Sequence, residues 1–144
     1  NAMQDEWSTD IGVGCKYFSQ DAVIKLAPAA GIELDENLSP AEKLKVVQAL
    51  MEKDDSRAQA IFESIGAYLA YAVVLYSQFY DIEHMMMLGR VMSGKGGDTI
   101  LRVCNEILAD EYPALAKKCE VSLPDEKTRR VGQSVAAASL PRIK

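Results

Sequence analysis

Apolar residues fall along most of this chain at helical spacing. Ala22, Val23 and Leu26 follow Ser19, a residue suited to capping a helix start, and Gly31 offers a stop. Ser39-Pro40-Ala41-Glu42 is a sharper start. Ser39 can cap, Pro40 fits the first helical position, and Glu42 completes a capping box. Leu44, Val47, Leu50 and Met51 then share one face, up to an end near Lys53. From about Ser56 to Tyr80 the pattern changes midway. Ala58, Ile61, Phe62 and Ile65 form one stripe, and Ile65 to Tyr76 is apolar on every side. A helix that is apolar all round must be enclosed by other elements. The pattern therefore predicts a long, buried central helix.

Ile82 to Leu88 is a short apolar run that closes on Gly89. It predicts a buried parallel strand, with His84 a partnered core residue rather than a base. A glycine loop spans Gly89 to Gly97. A helix is predicted from about Asp98 to Tyr112, with Ile100, Leu101, Cys104, Ile107 and Leu108 inward and Pro113 interrupting it or starting a new turn. Glu120 to Leu123 predicts a second strand, and a last helix follows Pro124 and ends in Ala136-Ala137-Ala138. This alternation points to a helix-rich α/β fold with few short strands. Ile11-Gly12-Val13-Gly14 reads as a short strand or turn. Residues 1–10 read as loop, with Asn1-Ala2 before Met3 resembling a tag remnant. Residues 11–144 are left as a single domain.

Composition narrows the function classes. The net charge is −5 and no Lys/Arg block stands out, which disfavours nucleic acid and anionic membrane as partners. The longest apolar run has twelve residues, short of the about 20 that span a bilayer. Three separated cysteines, Cys15, Cys104 and Cys119, and a single histidine supply no zinc-ligand spacing. Reduced structural thiols in a cytoplasmic protein are the expectation. The adjacent acids Asp5-Glu6 and Asp54-Asp55 are expected to be solvated. Asp125-Glu126 forms no single site by adjacency, and Lys127, Arg129 and Arg130 read as a solvated face. Met85 to Met87 read as adaptable packing.

Gly89-Arg90-Val91-Met92-Ser93-Gly94-Lys95-Gly96 nearly spells a P-loop. The magnesium-binding Ser/Thr should follow Lys95, and Gly96 stands there instead. No apolar strand ending in Asp accompanies it. A broader reading remains. Glycines let backbone approach a ligand, the next helix start attracts phosphate, and the loop lies at a strand's carboxyl end. A plain strand-to-helix turn explains the same residues equally well.

Three segments together resemble the ROK family of sugar kinases and regulators. Gly14-Cys15 with the Ser19 helix resembles the helix start after that family's zinc loop. Asp55-Ser56-Arg57-Ala58, Gly66-Ala67-Tyr68-Leu69-Ala70, Ile82 to Gly89 and Ser93-Gly94 are similar to its long helix, strand and glycine turn. Val131 to Ala138 is similar to its final helix. The resemblance covers about residues 11–141. It implies the carboxyl-terminal lobe of an actin-like, ribonuclease H-like ATPase fold, with Gly89, Arg90, Ser93, Gly94, Gly96 and Gly97 on the adenosine side of a cleft. The family's base, its E-x-G-H sugar motif and its phosphate-binding turn have no counterpart here. The implied parent activity is ATP-dependent hexose phosphorylation with ATP and magnesium; neither is expected to be held by this chain alone. The alternative is a non-catalytic binding or oligomerisation module, such as a regulator's effector domain. Arg90, where a glycine is usual, and Gln133, where alanine is usual, depart from the pattern. The expected partner is a second copy or an amino-terminal lobe.

Overall fold

The computed structural model describes residues 4–5 and 8–124. Among these it forms six α-helices and two short strands: α1 Cys15–Phe18, α2 Gln20–Leu26, α3 Pro40–Glu52, α4 Ser56–Ser77, β1 His84–Met86, α5 Gly94–Glu111, α6 Pro113–Lys118 and β2 Glu120–Ser122. A 3-10 turn, Arg90–Met92, joins β1 to α5. The expected final helix, with Gln133 and the basic residues near it, lies outside the described residues.

Local chemistry sets the helix starts. Ser19 accepts a bond from Asp21 N and opens α2. The Ser39 backbone N–H donates to Glu42 at 2.9 Å, and Glu42 N donates to Ser39 Oγ at 3.4 Å, which forms the capping box of α3. Asp55 caps α4 by accepting from Arg57 N at 2.9 Å. Arg57 also reaches Gly31 O at 3.1 Å, tying the α2–α3 connection to the start of α4. Pro113 opens α6.

The core lies between α4 and α5, with α1, α2 and α3 also packed against α4. Phe62, Ile65, Leu69 and Val73 of α4 meet Ile100, Cys104 and Leu108 of α5, and all seven are buried. Leu44 and Val47 of α3 and Val23 of α2 complete the cluster. Each such side chain contributes about 1.5–3 kcal/mol of transfer free energy. The close α4–α5 approach depends on Gly66. A Cβ there would stand 2.8 Å from both Ile100 O and Val103 Cβ.

β1 and β2 pair in parallel, with His84 opposite Glu120 and Met86 opposite Ser122. The α/β, helix-rich class is as expected, but two details of the strand and the central helix differ. β1 is not a buried strand: His84 and Met86 are exposed, and only Met85 packs against the core. Among the described residues the sheet has two strands, and the face that carries His84 and Met86 is exposed. His84 is therefore a surface residue, 3.4 Å from Glu120, and not a core one. The second half of α4 is not enclosed on all sides either. Tyr71 and Leu75 on its outer side stand about half exposed. By length and composition α4 alone among the described helices could cross a membrane, at a mean hydropathy of 1.4, and 44% of that window is buried against the rest of the chain.

Candidate functional site

The glycine segment is the site the sequence marks most strongly. Gly89 takes φ 121° and ends the extended run after β1. Val91 and Met92 turn inward and are buried. Gln48 of α3 holds the turn from outside, its side-chain amide donating to Arg90 O at 3.0 Å and Ser93 O at 3.4 Å. Helix α5 then begins at Gly94, four residues earlier than the pattern suggests. Helix propensity disfavours that start, since each glycine costs about 1 kcal/mol against alanine. Packing overrides it. Gly96 lies under the Phe62 ring, where a Cβ would come within 2.6 Å of Cε1. Gly97 lies against Met92, where a Cβ would fall 2.1 Å from the carbonyl oxygen.

The start of α5 already has an anion beside it. Glu52, the last residue of α3, accepts a bond from Lys95 N at 3.2 Å through Oε1. That carboxylate meets the positive end of the helix dipole, the role a phosphate plays in a nucleotide cradle. The Lys95 ammonium turns away to Asp54, at 2.8 Å, and to Glu52 O, at 3.3 Å. The hydrogen bond to Asp54 holds the Lys95 pKa above its usual value. Asp54 is thus an exposed partner of Lys95, while Asp55 belongs to the α4 cap.

The six residues expected to line a ligand cleft therefore divide. Gly96 and Gly97 are buried packing positions. Gly89, Arg90, Ser93 and Gly94 are exposed. Gly89 and Arg90 border a cavity of about 350 Å³, together with Leu88 and Val91 and, from the α1–α2 corner, Phe18, Ser19, Gln20 and Asp21. Asp21 there is paired with the buried Lys16 at 2.8 Å. Ser93 and Gly94 do not line this cavity. Glu52 and Gln48 carry no local signal in the sequence. They reach the segment from 43 and 42 positions away, and only the fold brings them there.

The remaining chemistry is dispersed. Among the described residues no three His, Cys, Asp or Glu side chains gather around one point. Cys15 is exposed, whereas Cys104 and Cys119 are buried. Burial pushes the Cys104 thiol up to about 12, with the neighbouring Cys119 adding to the rise. Such a thiol is a packing group, not a nucleophile. No family model, curated protein or solved structure matches this chain.

Proposed function

We propose that this chain is a non-catalytic interaction module rather than a phosphotransferase. The observation carrying this reading is the occupied start of α5. A phosphate brought to those amides would meet the Glu52 carboxylate and a backbone held under Phe62 and against Met92. Two like charges at one helix end repel each other, so the carboxylate opposes the ligand that such a loop would serve. In this reading the chain is a carboxyl-terminal lobe of the ROK kind that works by contact with a partner.

A second reading keeps the lobe as part of a sugar kinase with ATP. It is favoured by the cavity at Gly89 and Arg90, which follows the carboxyl end of β1, where α/β proteins bind ligands. The two readings separate in a phosphorylation assay with ATP, magnesium and a panel of hexoses. The module reading expects no turnover from the folded chain. Turnover that stays with the chain through further purification would overturn it.

A further inference from the structure

We propose that the outer face of α4 is a homodimer interface and that its occupant is α4 of a second copy of this chain. The proposal rests on the module reading above and deepens it by naming the partner. Tyr68, Tyr71, Leu75 and Phe79 recur at spacings of three and four and form one stripe, which continues past Ser77 because Phe79 N still bonds Tyr76 O at 3.0 Å. Tyr68 is 39% exposed, Tyr71 47%, Leu75 51% and Phe79 73%, with Tyr76 at 36% and Tyr80 at 68% beside them. Large apolar side chains exposed next to each other mark an interaction surface, whereas isolated ones do not.

The chemistry of the stripe selects the occupant. From Ser64 to Tyr80 the chain holds no charged residue. Two copies of this face therefore bring no charged side chain of α4 against each other, and the Glu111 carboxylate beside it is held by the Tyr71 hydroxyl. The spacing is also self-complementary. Tyr71 and Phe79 each lie four residues from Leu75, so a two-fold axis beside Leu75 sets each Phe79 against Tyr71 of the other copy. Such isologous contacts are the commonest form of oligomer. At about 200 Å² for a fully exposed large side chain, the six residues leave roughly 600 Å² in water. A stable interface buries about 800 Å² on each partner, so the stripe together with Tyr76 and Tyr80 supplies most of one side.

The aromatic anchors are already held. Tyr17 packs edge-on to Tyr68 with centroids 5.9 Å apart, and Tyr112 packs edge-on to Tyr71 at 6.4 Å. The Tyr71 hydroxyl donates to Glu111 at 3.0 Å. Side chains fixed before association lose less entropy on binding.

The test is sedimentation equilibrium of the full chain over about 1–200 μM, a range in which a weak dimer responds to mass action. The expected result is a mass rising from 15.8 kDa toward twice that value. Phe79→Glu and Leu75→Glu should weaken association at least tenfold, while Val46→Glu on α3 leaves it unchanged. In a Cys15→Ser background, Leu75→Cys should give a cross-linked dimer with a short bismaleimide. A folded chain with monomer mass throughout would overturn the proposal. That includes the case in which residues 125–144 cover the face, marked by a monomer whose thermal stability falls with Phe79→Glu. A dimer indifferent to both glutamate variants would overturn it equally. A chain that dimerises yet phosphorylates a hexose removes the module reading and leaves the interface; an inactive monomer does the reverse.

Discussion

The ring of Phe62 covers Gly96 so closely that a Cβ on the glycine would lie 2.6 Å from its Cε1. Phe62 is fully buried in α4, so the ring has no room to swing away. Gly96 and Gly97 therefore serve helix packing, and the first turn of α5 is fixed by core volume.

Gly66→Ala, Gly96→Ala and Gly97→Ala should each destabilise the fold, although alanine is the better helix former. Overpacking of this kind costs about 1–3 kcal/mol. Gly97→Ala should be the worst of the three, because its new Cβ meets the Met92 backbone at 2.1 Å, closer than any contact at Gly66 or Gly96. Urea titration of each variant against the parent chain measures the order. Equal stability of Gly97→Ala and the parent would refute the packing role.

Ser39→Ala removes one half of the α3 capping box and should cost about 1 kcal/mol. The Ser39 hydroxyl donates to Glu42 at 2.6 Å and accepts from Glu42 N. Thermal unfolding should show the loss without any change in helix content of the folded state.

Acid should weaken the fold through the same caps. The Arg57 side chain, and then its backbone N–H, hold the Asp55 carboxyl down at about 2. An unfolded aspartate titrates near about 3.9. The folded value is the lower one, so the contribution is present above the unfolded value and is lost as pH falls through the folded one. Ser39 likewise holds Glu42 down, and Asn37 holds Asp35 down. The midpoint temperature should therefore drop between about pH 4 and pH 2, and Asp55→Asn should flatten that slope.

Much of the fold was legible because its signals are local. The capping box at Ser39, the cap at Ser19 and the proline at the head of α6 each act within four residues. The predicted span of the central helix ends near α4's own end for the same reason. What failed was nonlocal. His84 sits in an apolar run, but its surroundings depend on what packs over its face of β1. The exposed outer side of α4 reads as core because periodicity cannot say how many neighbours a helix has. At Gly94 to Gly97 propensity pointed to a loop, and contacts with Phe62 and Met92 made it helix. Glu52, which closes that helix start, is set there by the meeting of α3 with α5. The segment stands out by its glycines, but the packing of Gly96 under Phe62 and of Gly97 against Met92 has no local signal.

The thiols should react in two classes. Cys15 is exposed and Cys104 and Cys119 are buried. Although desolvation, and then its hydrogen bond to Asp5, raise the Cys15 pKa, access decides the rate. At pH 8 a disulfide reagent should modify one thiol quickly in the folded chain and all three in denaturant. Rapid modification of Cys104 in the folded state would contradict the packing described for α5.

The start of α5 is a closed packing element, and amide shift mapping with ADP and magnesium reads that closure at each residue. No saturable shifts are expected at Gly94, Lys95, Gly96 and Gly97, with any response confined to the open cavity at Leu88 to Val91. Saturable shifts at Gly94 to Gly97, lost on competition with inorganic phosphate, would show that the helix start takes a phosphate after all.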